Sequence, residues 1–259
     1  MSRFTCNTWE EILAARQGRD FDVVVIGSGM YGSYTAAKLY EMGRRMGNRK
    51  EAPRVLVLES GPFLVSEHVQ NLSRRSTSLG SLVAEDLVDP GQSNETSVVK
   101  HMRCVGGKSP FWGGWSPRYQ TEDMNRVGTD GDRLWPEEVS NYLFQSGSRG
   151  GYEYAEHETG VFPVQDFIRG PLYEALKSRA EQVVNVAAVP SLKAVLEPPI
   201  AVQGEGPGSG LFGFDKFSSL PLLLDSIGED IEVSSGDDSR RKLFIVPYAE
   251  VLRLETENG

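Results

Sequence analysis

Hydrophobic positions first gather at residues 21–27, Phe-Asp-Val-Val-Val-Ile-Gly, a nearly unbroken β-branched run. Apolar on both faces, it predicts a central strand of a parallel sheet. Residues 29–46 then read as a helix, and residues 54–59 (Arg-Val-Leu-Val-Leu-Glu) as a second buried strand. Ahead of both, Thr8-Trp9-Glu10-Glu11 has the form of a capping box. The threonine hydroxyl takes an orphan amide while Glu11 reaches back, so a short helix to about Arg16 is expected. The polar stretch 43–53, with Arg44, Arg45, Arg49 and Lys50, is expected as a solvated helix end and loop.

Beyond residue 60 the pattern is broken more often. Asp89-Pro90-Gly91 has turn chemistry, and residues 105–118 are rich in glycine and tryptophan. A helix should open near Leu134-Trp135-Pro136, with Pro136 close to its first position. Leu172, Leu176 and Ala180 repeat at helical spacing and predict a helix over 171–184. Residues 195–203 read as extended, and residues 204–213, with five glycines, as a mobile loop. That loop is expected as a surface loop rather than an active-site lid, and Phe212, Phe214 and Phe217 as packing residues as readily as pocket lining. A short apolar helix is expected over 217–227, and strands over 243–247 and 251–254. Asn258-Gly259 directly after the last strand is a two-residue hairpin signal with no returning strand. The expectation is a chain lacking a C-terminal part, with a frayed polar tail as the alternative.

Charge narrows the partners. With 27 Lys+Arg against 36 Asp+Glu, the net charge is −9, which argues against nucleic acid or anionic lipid. The two cysteines, Cys6 and Cys104, are too few for a disulfide scaffold and lack metal-ligand spacing, so no metal is expected. No apolar run is long enough for a signal peptide or a membrane span, and a cytoplasmic protein is expected. Glycine is the outlier: 28 of 259 residues, about 11% against roughly 7% in average usage. Where those glycines sit decides the chemistry.

Gly27-Ser28-Gly29-Met30-Tyr31-Gly32 fits G-x-G-x-x-G. The pattern alone is weak, but here it follows a buried strand, opens a helix, and precedes a second strand ending in a carboxylate. Gly27 allows the tight turn, Gly29 admits a pyrophosphate, and Gly32, with Ala36 and Leu39, lets the helix lie close on the sheet. The helix start then offers unpaired amides and partial positive charge to phosphates. Glu59, at the second strand's tip, can accept the ribose hydroxyls of an adenosine and would repel a 2′-phosphate. A second motif, Gly106-Gly107-Lys108-Ser109-Pro110-Phe111-Trp112-Gly113-Gly114-Trp115, sets two glycine pairs around aromatic residues. Paired glycines let main-chain amides approach a flat ring such as an isoalloxazine. Taken alone, an aromatic–glycine turn in a core accounts for that motif equally well.

Together, residues 21–32, Leu58-Glu59-Ser60-Gly61 and residues 105–118 resemble the glucose–methanol–choline (GMC) oxidoreductases, the pyranose-oxidase branch most closely. The resemblance covers roughly the N-terminal half of such an enzyme. It implies an α/β chain with a Rossmann-like FAD-binding βαβ fold and a partial α+β substrate domain. The expected division is 1–160 for the first part of the FAD domain, 161–230 for the substrate domain and 231–259 for return strands. It implies FAD, with Gly27, Ser28, Gly29, Met30, Tyr31 and Gly32 at the pyrophosphate and Glu59 at the ribose. Gly106, Gly107, Ser109, Trp112, Gly113 and Gly114 would lie along the flavin, and Val251, in a late strand, would meet adenine. Phe111 stands where the branch carries a histidine bonded covalently to the flavin, so non-covalent FAD is expected.

The implied reaction is oxidation of a CH–OH group of a sugar, polyol or other alcohol by hydride transfer to flavin N5. The family's catalytic histidine and its partner lie downstream of the matched region, and His68, His101 and His157 match neither. No catalytic residue is therefore assigned. The remainder would come from a missing C-terminal half or a partner chain. Two alternatives stand beside this reading: a non-catalytic flavin- or dinucleotide-binding subunit, and an NAD-dependent dehydrogenase, for which the second motif has no obvious role.

Overall fold

The computed structural model describes residues 6–69, 88–89, 101–147, 151–163, 170–186, 195–196, 199–203 and 215–255. The expected features at 204–213, Phe214, Pro90-Gly91 and Asn258-Gly259 lie outside the described residues. Two compact units share the chain, one formed by residues 1–112 and 218–259, the other by residues 113–217.

In the first unit, α1 (Trp9–Arg16) starts from the expected capping box: Thr8 Oγ1 accepts from Glu11 N–H at 3.2 Å and Glu11 Oε2 accepts from Thr8 N–H at 3.0 Å. Then come β1 (Val23–Ile26), α2 (Met30–Arg45), β2 (Val55–Leu58) and the two-residue strands β3 (Val88–Asp89) and β4 (His101–Met102). The second unit holds α3 (Thr121–Met124), α4 (Glu137–Leu143), α5 (Gly151–Thr159), β5 (Val161–Pro163), α6 (Pro171–Val186), β6 (Pro199–Gln203) and β7 (Asp215–Lys216). The chain returns to the first unit with α7 (Ser219–Val233) and β8 (Leu243–Val246). No described helix is long and apolar enough to cross a membrane.

The first unit is built on a three-stranded parallel sheet of order β1-β2-β8. Val23 pairs with Val55 and Val55 with Leu243, so the three strands start and stop level. Side chains alternate between faces. Val55, Val57, Leu243 and Ile245 pack with Ala36 and Tyr40 of α2 and with Leu220, Leu223 and Ile227 of α7. Leu56, Phe244 and Val246 turn the other way, against Ile12 and Ala15 of α1. The result is a helix–sheet–helix sandwich, and each fully buried aliphatic side chain contributes about 1.5–3 kcal/mol to it.

Four expectations change. β1 is flanked on one side only among the described strands, and Val24 and Ile26 are 49% and 52% exposed, so it is an edge rather than a central strand. Residues 43–53 are not simply solvated: Gly43 and Ala52 are buried, and Arg49 reaches the buried Asp230. The helix expected over 217–227 runs to Val233, because the apolar pattern continues through Ile227 and Ile231 and the chain turns off only at Ser235 (φ 56) and Gly236 (φ 72). The strand expected over 251–254 does not form: Leu252 and Leu254 are 86% and 76% exposed, with no strand paired to them among the described residues, so the described part of 231–259 contributes one return strand.

The second unit is α+β. Its antiparallel sheet runs β5-β6-β7, and Trp115 adds a bridge to Ile200. The helix predicted from Leu172 and Leu176 forms, with both leucines exposed.

Candidate functional site

At the carboxyl ends of the parallel strands the chain turns sharply. Gly27 N–H bonds the Leu58 carbonyl at 2.8 Å, extending the sheet by one bond. Gly27 then adopts φ +83, a left-handed conformation that a side chain disfavours, and this sends the backbone off the sheet into α2. Gly29 is the N-cap of α2, in extended backbone (φ −61, ψ −173), with no side chain capping the helix and no acidic residue in the first turn. Ser33 N–H returns to the Gly29 carbonyl at 2.9 Å. The amides of Met30, Tyr31 and Gly32 thus form an uncapped helix start, carrying the positive end of the helix dipole.

The glycines of this turn are not equivalent. A Cβ on Gly32 would collide with the Gly27 carbonyl oxygen, so that position is closed by the chain itself. A Cβ on Gly29 would meet no atom of the described residues within 4 Å. Among the described residues, open space lies beside the helix start, where the motif is expected to admit a diphosphate. Met30 is half-buried and Tyr31 is 84% exposed.

Glu59 follows β2 and is 5% exposed. Its Oε2 accepts from Ser28 N–H at 2.8 Å and from Ser28 Oγ at 2.7 Å. Its Oε1 accepts from Gly61 N–H at 2.9 Å and from Ser60 Oγ at 3.3 Å. Four hydrogen bonds thus compensate the buried carboxylate. Ser28 also binds the second motif, its carbonyl accepting from Gly106 N–H at 3.0 Å and from Ser33 Oγ at 2.5 Å. Gly107, at φ +54, packs so close that a Cβ there would stand 2.9 Å from Gly29 Cα. Two glycine motifs, with Ser28 and Gly106 78 residues apart, thus meet at one sheet end.

Between them lies Cys104, whose buried thiol donates to the Gly107 carbonyl at 3.5 Å. Burial first, and then the charge of Glu59, pushes this thiol up to about 12. It remains protonated and is no nucleophile near neutral pH.

Other expected site residues serve different neighbours. Ser109 Oγ lies 3.0 Å from Ser218 Oγ and accepts from Ser219 N–H at 2.7 Å, so it anchors the start of α7. The Trp112 carbonyl lies 3.0 Å from Nε2 of His68, a buried, structural histidine. Gly113 and Gly114 belong to the second unit, where the Gly114 carbonyl accepts from Ala201 N–H at 2.7 Å. Val251 is half-buried but outside any strand, a correction to the late strand expected for it. Sequence reasoning missed Ser33 and Cys104. Ser33, four residues after Gly29 on the sheet-facing side of α2, was the readable signal; Cys104 showed none.

No protein-family model and no curated protein matches the chain. Solved structures that resemble it distantly include the following two. A formate oxidase of Aspergillus oryzae aligns at TM-score 0.46 and 14% identity, over 88% of this chain and 38% of the other. Pyridoxine 4-oxidase from Mesorbium loti aligns at TM-score 0.48 and 14% identity, over 92% of this chain and 44% of the other. The chain thus spans about two fifths of the length of the structures it resembles.

Proposed function

We propose that this chain is the FAD-binding part of a GMC-type oxidoreductase acting on the CH–OH group of a sugar, polyol or other alcohol. The observation that carries the reading is the open space beside Gly29 at an uncapped helix start, next to a buried carboxylate on the adjoining strand tip. A dinucleotide suits both parts. The first-turn amides of Met30, Tyr31 and Gly32 face the diphosphate, with no Cβ at Gly29 to hold it off. Glu59 accepts the ribose hydroxyls, exchanging its bonds from Ser28 Oγ and Ser60 Oγ for them. Because it already carries a full negative charge, it disfavours a 2′-phosphate and with it NADP.

Gly107 lets the second motif close against Gly29, Gly106 lets it pack on Pro110 and Leu220, and both are in left-handed conformations that glycine adopts at no steric cost. With Phe111 in place of a linking histidine, the flavin is held without a covalent bond. A bound flavin supplies an acceptor for hydride leaving an alcohol carbon. The general base comes from outside this chain. His68 is buried and hydrogen-bonded, and His157 lies on α5 of the second unit. The half-exposed Val24 and Ile26 leave one face of β1 partly uncovered and support a further layer over that face, since parallel strands are ordinarily covered on both faces. Missing base and open face together favour a longer polypeptide or a partner chain.

A purified sample titrated with FAD tests this. The expected result is saturable binding with visible flavin absorbance, complete release of flavin on acid denaturation, and negligible alcohol oxidation by the chain alone. Binding of NAD in preference to FAD contradicts the cofactor assignment. Turnover at an ordinary enzymatic rate contradicts the missing base.

A further inference from the structure

The opposite end of the same sheet carries different chemistry. A cleft of about 600 Å³ opens at the amino ends of the strands, within the size range of small-molecule sites. Of its eight described lining residues, seven are Lys or Arg; the eighth is Ser239. They converge from four separate segments: Arg19 before β1, Arg49 and Lys50 after α2, Arg54 before β2, and Arg240, Arg241 and Lys242 before β8.

Several of these cations are costly where they stand. Arg54, Arg241 and Lys242 are 3%, 2% and 9% exposed. Arg54 Nη2 donates to the Ala15 carbonyl at 2.9 Å, and its guanidinium lies over the Phe21 ring at 4.9 Å, but its Nε and Nη1 are buried without a hydrogen-bond partner. Lys242 Nζ is held by the carbonyls of Lys50 and Ala52, at 3.2 and 2.5 Å. Four described carboxylates stand against the seven cations. Asp230 pairs with Arg49 and Arg241, Asp238 with Arg241, Asp22 accepts from the Arg54 main-chain N–H at 2.7 Å, and Asp237, bonded to Ser239, acts on Arg240. Seven against four leaves three positive charges in excess among the described residues. Burial, opposed by Asp22 and reinforced by Arg19, Arg54 and Arg49, holds the Lys242 ammonium below its usual range. A chain with a net charge of −9 has thus gathered like charges in one concavity. Burying cations without counter-ions destabilises a fold unless something else neutralises them.

We propose that this cleft binds a small phosphate-bearing polyanion. The five arginines and two lysines suit phosphate oxygens, because guanidinium forks bind them in pairs and ammonium groups act as point charges. A single phosphate leaves part of the excess unmatched, so a di- or triphosphate group or a bisphosphorylated metabolite is the fitting class. The site lies a strand length from the glycine cradle and does not depend on the flavin reading.

Inorganic tripolyphosphate is the probe, titrated calorimetrically into the 259-residue chain at moderate salt, with citrate as the non-phosphate control. The expected result is one equivalent bound, much more weakly at higher salt and at least tenfold more weakly in an Arg19→Glu/Arg240→Glu double variant. Both residues are exposed, so the variant should fold; Lys50→Glu, from a different segment, is the second test. Binding should persist in FAD-saturated protein, and FAD affinity should be the same in wild type and variant. Absence of binding, binding unchanged by both charge reversals, or equal binding of citrate overturns the proposal. So does displacement of tripolyphosphate by FAD, which would put the anion in the glycine cradle and leave the flavin reading standing. Tripolyphosphate binding without any FAD binding would do the reverse.

Discussion

The two ends of one three-stranded sheet present opposite surroundings to the anion proposed for each. At the carboxyl ends, Gly27, Gly29, Gly106 and Gly107 remove side chains and leave main-chain amides, with Glu59 the one formal charge bonded into the turn. At the amino ends, Arg54, Arg241 and Lys242 crowd formal charge against the strand starts. The first device works through shape and fixed dipoles at short range, so it is sensitive to a single added carbon. The second works through Coulomb fields that reach about a Debye length, so it is sensitive to salt. The difference teaches where each end is fragile.

The largest effect is expected at the amino ends. Asp230, fully buried, accepts from the main-chain N–H groups of Lys242 and Leu243 at 2.8 and 3.0 Å and from Arg49. Asp230→Ala strands these donors and the buried Arg241 guanidinium that also pairs with it, and chemical denaturation should register a loss of about 3–5 kcal/mol. A loss under about 1 kcal/mol would show the cation cluster to be better compensated than its contacts indicate. At the carboxyl ends, Gly32→Ala should cost about 1–3 kcal/mol, although alanine is the better helix former, because its Cβ meets the Gly27 carbonyl. An unchanged or raised melting temperature would mean the turn can relax.

Alkaline pH separates the ends more gently. Burial pushes Cys6 up to about 11, and burial with the Glu59 charge pushes Cys104 to about 12. Both values are raised above the unfolded thiol, so the folded state keeps protons that the unfolded state has released. The stability tied to these protons is complete below about pH 9 and falls as pH climbs toward 11 and 12. Each thiol contributes a slope of up to about 1.4 kcal/mol per pH unit in that window. A Cys104→Ala variant should show a shallower alkaline decline, and an identical slope would contradict the assignment. The smallest effect is a calibration away from both ends: Thr8→Ala removes the capping box of α1 and should cost about 1 kcal/mol, with FAD and tripolyphosphate affinities untouched.

Much of the carboxyl-end site was legible in the sequence because its signals are local. The β-branched run of β1, the glycine spacing and the carboxylate after β2 each sit within a few residues of the turn they form. The capping box at Thr8 was readable for the same reason. The amino-end cleft was not, since its cations come from four segments and each looks solvated in isolation; Arg49 and Lys50 read as loop until β8 brings Lys242 beside them. The edge position of β1 was also hidden. Its apolar pattern on both faces is that of a covered strand, and the sequence does not say on which side its neighbours stand. Val251 was misplaced because alternation alone predicts a strand where no pairing partner exists.

At Gly29 a single substitution divides ligand from fold. Its backbone conformation suits any residue, open space surrounds its missing Cβ, and it caps a helix whose first turn carries no acid. Gly29→Asp therefore supplies a good N-cap and should leave the melting temperature unchanged or slightly higher. It also puts a carboxylate where we propose that the diphosphate binds, and the FAD dissociation constant, read by flavin fluorescence, should rise at least about 100-fold, or roughly 2.7 kcal/mol. A folded Gly29→Asp protein that binds FAD as tightly as wild type would contradict the account.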